Sequence, residues 1–239
     1  MISIDEHDPI APKYEAPYLK LYSLATPNGQ KVGIFLELLK PYIKKPIHVT
    51  TIDISKNTQK EPWFINLNFN GRIPTLSDVD ADGNRTTISE SGAILLYLAD
   101  KYDIERKFSY PPGDPLYYDQ LEWMFFQAAG LGPMQGQANH FRVFANEEVP
   151  YAIKRYVDET KRLYGVLELK LKKTGTGYLV GDKLTIVDIM CYPWVALHKK
   201  STGESIQHLP SLSTWLERIA ALKEIQIGAK VASRGSKPQ

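Results

Sequence analysis

The sequence predicts an α/β domain followed by an all-helical domain, and two observations support this fold class. In the first half of the chain, short β-branched segments alternate with amphipathic stretches in the order β-α-β-α-β-β-α. In the second half, long stretches carry apolar residues at helical spacing. The predicted divisions are an N-terminal tail at 1–17, the α/β domain at 18–103, a proline-rich linker at 104–114, the helical domain at 115–227 and a C-terminal tail at 228–239.

The α/β domain begins with two strands, predicted at residues 18–24 and 47–54. The helix between them has one apolar face, formed by Val32, Phe35, Leu36 and Leu39. Because a helix joins the two strands, we expect them to be parallel. The remaining elements are a short helix at 61–67, a hairpin of residues 73–76 and 86–88 about Asp82-Gly83, and a helix after Ser89 or Ser91. The hairpin makes the predicted sheet mixed.

The helical domain is predicted from apolar residues that recur on one helix face. The clearest stretch, residues 150–172, has such a face over about five turns. The predicted helices are 115–137, 150–172, 185–198 and 210–222.

Composition and charge exclude several classes of protein. The 239 residues include 29 basic and 27 acidic side chains, a net charge of +2, so no strong field favours nucleic acid or an anionic membrane. Cys191 is the single cysteine, which excludes a disulfide within the chain and a cysteine-rich zinc site. The longest apolar run, residues 93–99, is too short to span a bilayer, and the N-terminus is unlike a secretory signal. We expect a cytoplasmic protein with no metal, nucleic-acid or membrane partner.

A first candidate binding segment is Asn70-Gly71-Arg72-Ile73-Pro74. If the Ile73–Pro74 bond is cis, the backbone of Ile73 turns outward, and its N–H and C=O can pair with an extended peptide. The alternative is an ordinary trans-proline at the start of a strand, which the frequency of cis bonds favours.

A second candidate segment is Ser89-Glu90-Ser91-Gly92, at the predicted start of a helix. Backbone N–H groups at such a position bind a carboxylate, and Glu90 can accept a hydrogen bond from an ammonium group. Together these groups suit the free amino-acid end of a ligand. The alternative is simple capping of the helix.

The third segment, residues 26–31, is a turn that leads into the first predicted helix. The positive end of that helix would stabilise an anion such as a thiolate, and Asn28 or Thr26 could donate a hydrogen bond to it. The alternative is again a helix cap. In a β-α-β-α-β-β-α unit all three segments are expected at one edge of the sheet.

These segments resemble those of the cytosolic glutathione transferases over roughly residues 18–227. Ile73-Pro74 matches the family's cis-proline segment, Glu90-Ser91 its γ-glutamyl-binding pair, and residues 184–188 its buried capping motif. The resemblance is strongest to the subgroup of fungal nitrogen-regulator-like proteins and bacterial nu-class transferases. The strings behind it are 26–29, 90–96, 133–137, 140–142 and 180–185.

The resemblance implies a thioredoxin-like first domain that binds glutathione as substrate, and a homodimer. It places Gln59 or Lys60 at the glycyl carboxylate of glutathione, Arg72 at the site, and Arg142 near it from the helical domain. It implies transfer of the glutathione thiolate to electrophiles, with reduction of disulfides or peroxides as a further activity. A glutathione-binding regulator without turnover is the alternative.

The residue that stabilises the thiolate is left open by the sequence. Asn28 lies at the corresponding turn in the subgroup, with Thr26 beside it and Ser23 as a competing candidate. Cys191 lies in an apolar helical stretch, which predicts a buried and inert thiol.

Overall fold

The computed structural model describes residues 2–5 and 14–233. These residues form two compact units. The first unit contains the described residues up to Ile104 together with those from Lys223 onwards, and the second contains Glu105–Leu222. In the described part of the chain, no helix has the length and apolarity needed to cross a membrane.

The first unit is built on a mixed sheet with the strand order β1-β3-β2-β4-β5. Strand β2 is buried at every position because it is central, whereas β5 is exposed over most of its length. The β2–β3 pair is parallel, and β4 pairs antiparallel with both β2 and β5, which confirms the predicted mixed sheet. The strands are β1 (Ile2–Asp5), β2 (Tyr18–Ser23), β3 (Ile47–Thr51), β4 (Thr75–Val79) and β5 (Arg85–Ser89).

A strand lies within the segment 1–17, which the sequence predicted to be a tail. Residues Ile2–Asp5 pair in parallel with β3 and extend the sheet by one strand. The short segment Ile-Ser-Ile-Asp has the alternation of a strand, but Pro9 and the acidic residues around it favoured a tail. The rest of the predicted tail falls partly on residues 6–13, which lie outside the described residues.

Helices of the first unit are α1 (Pro27–Leu39), α2 (Pro62–Leu67), α3 (Ser91–Tyr102) and α10 (Lys223–Gly228). Single 3₁₀ turns at Ile54–Lys56 and Thr58–Lys60 precede α2. Helix α1 packs against α3 on one side and against α10 on the other, so it is buried on most of its surface.

The helical domain was predicted to end at residue 227, but the helical unit ends at Leu222. The last helix, α10, belongs to the first unit. A β-carbon added at Gly33 would lie 2.5 Å from the carbonyl oxygen of Gly228, and one added at Gly228 would lie 2.4 Å from Ile34 Cα. These two glycines therefore let the backbones of α1 and α10 approach closely. Residues 234–239 of the predicted C-terminal tail lie outside the described residues.

A buried carboxylate ties the sheet to α3. Asp78 of β4 accepts hydrogen bonds from Tyr97 Oη at 2.9 Å and Tyr102 Oη at 2.7 Å, and it pairs with Lys101 at 2.9 Å and with Lys45. Burial alone would raise the pKa of Asp78, but these donors outweigh burial and hold it below its usual value. Burial raises the pKa of Tyr102, and its hydrogen bond to the Asp78 carboxylate raises it further.

The second unit is helical, as predicted. Its helices are α4 (Tyr117–Phe125), α5 (Gly132–Asn139), α6 (Pro150–Thr174), α7 (Ile186–Val195), α8 (His198–Thr202) and α9 (Pro210–Ala220). The stretch predicted as one helix over 115–137 is interrupted by a π-helical segment at Phe126–Leu131, and a second follows at His140–Phe144. The first π segment ends two residues before Pro133, which lacks the N–H that a regular helix needs.

The predicted capping motif lies at the start of α7. Asp188 is fully buried and its carboxylate accepts four hydrogen bonds, from Thr185 N (2.9 Å), Thr185 Oγ1 (3.0 Å), Leu179 N (3.0 Å) and Trp215 Nε1 (2.9 Å). Burial raises the pKa of Asp188, although these donors oppose the shift. The motif therefore joins the start of α7 to a neighbouring loop and to α9.

Candidate functional site

A cleft of about 380 Å³ lies in the first unit and is lined by residues from all three segments that the sequence singled out. Its volume is in the range of small-molecule sites. The lining residues are Thr26, Asn28, Ile54, Gln59, Asn68, Asn70, Arg72, Ile73, Pro74, Glu90 and Ser91. Thr26 and Asn28 follow β2, Ile73 and Pro74 precede β4, and Glu90 and Ser91 follow β5. The expected gathering at one edge of the sheet is therefore observed.

The N-terminus of α1 forms one wall of the cleft. Thr26 is its N-cap residue, and Thr26 Oγ1 accepts a hydrogen bond from Gly29 N at 3.3 Å. Asn28 follows in the first turn, so its side chain lies beside backbone N–H groups at the positive end of the helix. An anion at this position would be stabilised by the Asn28 side chain and by these backbone N–H groups.

Ser23, the competing candidate, has a different position. Its side chain is buried and its hydroxyl donates to Leu24 O at 3.3 Å. It does not line the cleft, because Gly29 lies against it: a β-carbon at Gly29 would be 2.5 Å from Ser23 Oγ.

The loop before β4 forms the second wall, and Asn68 holds its shape. Asn68 Nδ2 donates to Arg72 O at 2.9 Å and to Thr75 Oγ1 at 3.0 Å, and Asn68 Oδ1 accepts from Asn70 N at 3.0 Å. The Ile73–Pro74 bond that follows is cis, as the resemblance implies. Among the described residues, neither the N–H nor the C=O of Ile73 has a hydrogen-bond partner. Both are thus available to an extended peptide ligand.

The third wall is the start of α3. Ser91 is the first residue of this helix and lines the cleft next to Glu90. Glu90 has φ = 68° and ψ = 117°, a backbone conformation that non-glycine residues rarely adopt. Such conformations persist where the surroundings impose them, and they concentrate at binding sites.

Gln59 and Lys60 were alternatives for one binding role, and the structure separates them. Gln59 lines the cleft, and its Oε1 is buried without a hydrogen-bond partner among the described residues. Lys60 is not in the lining, because its ammonium donates to Asn70 O at 3.0 Å. Lys60 therefore supports the loop at Asn70.

Sequence reasoning missed four residues of this region. Ile54, Asn68 and Asn70 line the cleft; Ile54 and Asn68 lie outside the three predicted segments, and Asn70 lies within one of them without a predicted role. Lys31 lies within the segment 26–31 and is buried, with its Nζ 3.3 Å from Ser91 Oγ. A lysine among the apolar residues of α1 is the signal that could have identified it.

Comparison with known proteins gives matches in both units. The model of the glutathione S-transferase N-terminal domain matches residues 25–101, and the model of the C-terminal domain matches residues 133–223. Disulfide-bond oxidoreductase YfcG of Escherichia coli is 37% identical over 210 residues, with 84% of this chain and 89% of the relative covered. The chain belongs to the glutathione S-transferase family.

Solved structures of glutathione transferases share this fold. One is a homologue from Lodderomyces elongisporus with two glutathione molecules per subunit, at TM-score 0.84 and 44% identity over 90% of this chain and 99% of that one. Another is Ure2p in complex with glutathione, at TM-score 0.81 and 30% identity over 91% and 95% of the chains. The thioredoxin-like first domain and the resemblance to the nitrogen-regulator-like subgroup are thereby confirmed.

The helical unit contains the remaining predicted site residue, Arg142. Its Nη1 donates to Lys200 O at 2.8 Å, near the C-terminal end of α8. A role for Arg142 in binding stays a prediction. Cys191 is fully buried in α7, which confirms the predicted burial; its inertness stays a prediction. Among the described residues, no group of three or more His, Cys, Asp or Glu side chains could hold a metal ion.

Proposed function

We propose that this protein binds glutathione in the cleft of its first unit, stabilises the thiolate and transfers it to electrophiles. The observation that supports this most directly is that four features meet in a single cleft. These are the N-termini of two helices, the available backbone N–H and C=O of Ile73, the positive charge of Arg72 and the negative charge of Glu90. Glutathione is an extended peptide with two carboxylates, one ammonium group and one thiol. Each of these groups has a complement in the cleft.

The proposed binding mode follows the walls of the cleft. The γ-glutamyl carboxylate is held by Ser91 and the N-terminus of α3, and the γ-glutamyl ammonium by Glu90. The cysteinyl backbone pairs with the N–H and C=O of Ile73, as an added strand would. Gln59 and Arg72 hold the glycyl carboxylate.

Asn28 is the residue we propose for stabilising the thiolate. A free thiol has a pKa of about 8.5, and lowering it by about two units requires roughly 2.7 kcal/mol of preferential stabilisation. One hydrogen bond donated to a charged group supplies about 1.5–3 kcal/mol. The N-terminus of α1 adds about 0.3–1 kcal/mol. An asparagine and the backbone therefore suffice, without a cysteine or tyrosine of the protein.

Reduction of a disulfide uses the same thiolate. The sulfur attacks one sulfur of the substrate disulfide, a mixed disulfide forms, and the other half leaves as a thiolate. A second glutathione then attacks the mixed disulfide, so that glutathione disulfide and the second thiol leave. A homologous structure that holds two glutathione molecules per subunit supports this activity, and so does the similarity to a disulfide-bond oxidoreductase. A hydroperoxide would be attacked at oxygen instead: the O–O bond breaks, an alcohol leaves, and the glutathione sulfur becomes a sulfenic acid. A second glutathione then converts this sulfenic acid to glutathione disulfide and water.

A glutathione-holding regulator without turnover is the second candidate, and the similarity to Ure2p favours it. In both cases we expect a homodimer, because the resemblance implies one. Sedimentation equilibrium at micromolar concentration tests this expectation, and a mass of one chain would contradict it.

The deciding experiment is calorimetric titration with glutathione in two buffers of different ionisation heat. Release of close to one proton per site at neutral pH is expected, since the bound thiol ionises. Binding without proton release, together with no turnover of an aryl halide, a small disulfide or a hydroperoxide, would favour the regulator. The absence of any binding would contradict both candidates.

A further inference from the structure

Lys31 lies behind the wall of the cleft that Ser91 forms. The side chain of Lys31 extends from α1, is 2% exposed, and has its Nζ 3.3 Å from Ser91 Oγ. It is buried because α1 is covered by α3 on one side and by α10 on the other. Lysine is rarely buried to this extent, since desolvation of an ammonium group is costly. The contact with Ser91 places this ammonium group directly behind a residue that lines the cleft.

The contact fixes the direction of the serine hydroxyl. An ammonium group is a donor only, so Ser91 Oγ must be the acceptor of this hydrogen bond. The hydrogen of the hydroxyl then points away from Lys31. Because Ser91 lines the cleft, that hydrogen is available to a ligand.

The charges around Ser91 add a second argument. Glu90 is the acidic residue in the lining of the cleft, and it directly precedes Ser91. A ligand carboxylate bound at Ser91 would thus lie close to another negative charge. The N-terminus of α3 offsets only part of this repulsion, since it carries about half a positive charge. The hydrogen bond from the Lys31 ammonium polarises the hydroxyl of Ser91, so this hydroxyl becomes a stronger donor to the ligand carboxylate.

We propose that Lys31 is a positioning residue for the γ-glutamyl carboxylate of glutathione. It orients the hydroxyl of Ser91 toward that carboxylate and strengthens the hydrogen bond that this hydroxyl donates. This inference rests on the proposed function, because it concerns the recognition of one group of the same ligand.

The test compares two ligands on matched variants by calorimetry. The ligands are glutathione and its analogue that lacks the γ-glutamyl carboxylate, γ-aminobutyryl-cysteinyl-glycine. Lys31→Met should weaken glutathione binding about tenfold, which corresponds to the loss of one charge-assisted hydrogen bond. The same substitution should change the affinity for the analogue by less than about twofold. In a Ser91→Ala background, the effect of Lys31→Met on glutathione should fall below about threefold, because the two residues act through one contact.

Lys20→Met is the control. Lys20 is 3% exposed in the same unit and lies over the rings of Tyr14 and Tyr22, outside the lining of the cleft. This variant reports the loss of a buried lysine, and it should leave the ratio of the two affinities unchanged. If Lys31→Met does not fold, Lys31→Gln removes the charge and keeps a donor, so it should show the same ligand selectivity with a smaller effect.

Equal weakening of both ligands by the Lys31 variants would overturn the proposal, and so would additivity with Ser91→Ala. Failure of the unmodified protein to bind glutathione would instead contradict the proposed function, and with it this inference. The two failures are thus distinguished by the first titration of the series.

Discussion

The main-chain N–H of Ala25 donates a hydrogen bond to the carbonyl of Ala232 at 3.1 Å. Ala25 immediately precedes Thr26, the N-cap of α1, so the segment that contains Ala232 is fixed to the turn that enters the cleft. Helix α10 strengthens this connection through the close approach of Gly228 to α1. The C-terminal segment 223–233 is therefore part of the scaffold of the candidate site.

Gly228→Ala should destabilise the first unit and weaken glutathione binding. The added methyl group would lie 2.4 Å from Ile34 Cα, a backbone atom, so α1 or α10 must shift. We expect a loss of about 1–3 kcal/mol in the free energy of unfolding. Denaturant unfolding and calorimetric titration measure the two effects.

Gly165→Ala is the control, because nothing lies within 4 Å of its added carbon. For this variant we expect a gain of up to about 1 kcal/mol in the free energy of unfolding. Equal stability of the two variants would contradict the assignment.

Asn28→Ala should lower turnover far more than glutathione affinity. Loss of the hydrogen bond to the thiolate should reduce kcat by about 10- to 100-fold and change Kd by less than about threefold. The pH at which turnover rises should move upward, since the thiol keeps more of its proton. Asn146→Ala, in an exposed loop of the second unit, should change neither value. Equal losses in kcat and affinity would exclude this role for Asn28.

A pair of substitutions at Thr26 distinguishes its role from that of Asn28. Thr26→Ser keeps a hydroxyl that accepts from Gly29 N, whereas Thr26→Val removes it. We expect Thr26→Val to cost about 1 kcal/mol of stability, as for a lost N-cap, and Thr26→Ser to cost less. Thermal unfolding and steady-state kinetics check this. A turnover defect in Thr26→Val as large as that in Asn28→Ala would assign the thiolate contact to Thr26.

Asp78 should make the stability of the protein depend on acidic pH. Burial would raise its pKa, but Lys45, Lys101 and the two tyrosines lower it below the unfolded value. The stability that Asp78 contributes is therefore fully present above the unfolded pKa of about 3.9, and is lost as pH falls through the lower folded pKa. Asp78→Asn should cost about 2–4 kcal/mol at pH 7.

Urea unfolding between pH 7 and the acid limit of folding measures this dependence. The slope of stability against pH should be smaller in Asp78→Asn than in the unmodified protein below about pH 4. Asp158→Asn is the control, because Asp158 forms an exposed ion pair with Lys154 and should change stability by less than about 1 kcal/mol. An unchanged slope in Asp78→Asn would refute the assignment.

Asp188→Asn should destabilise the helical unit by about 3 kcal/mol. The amide has one acceptor oxygen, so its NH₂ group must face N–H or O–H donors that are now satisfied. Thr185→Ser preserves the capping box and should cost less than about 1 kcal/mol. Differential scanning calorimetry compares the two variants. A melting temperature for Asp188→Asn within a degree of that of Thr185→Ser would contradict this prediction.

Local signals explain which parts of the structure were predictable. The β2-α1-β3 unit, the hairpin and the capping motif at Thr185 each depend on residues close in the chain. The cleft followed from the order of elements, because that order places strand ends and helix starts at one edge of the sheet.

Features that the sequence could not predict depend on distant contacts. The strand Ile2–Asp5 is fixed by pairing with β3, and α10 by small residues on α1 and on itself. The contact of Lys31 with Ser91 joins residues 60 positions apart, and that of Asp78 with Lys45 joins residues 33 apart. Lys31 stands out among the apolar residues of α1, but no local pattern in the sequence identifies the distant residue that Lys31 or Lys45 contacts.

The buried thiol of Cys191 has a consequence for how this protein handles oxidising equivalents. With its one sulfhydryl group enclosed in α7, the polypeptide has no exposed sulfur on which a mixed disulfide could be stored between turnovers. If the cleft reduces disulfides as proposed, every disulfide formed there must leave on a small molecule. We then expect no oxidised form of the protein to persist between turnovers, and the ratio of reduced to oxidised glutathione to set the direction of the disulfide exchange.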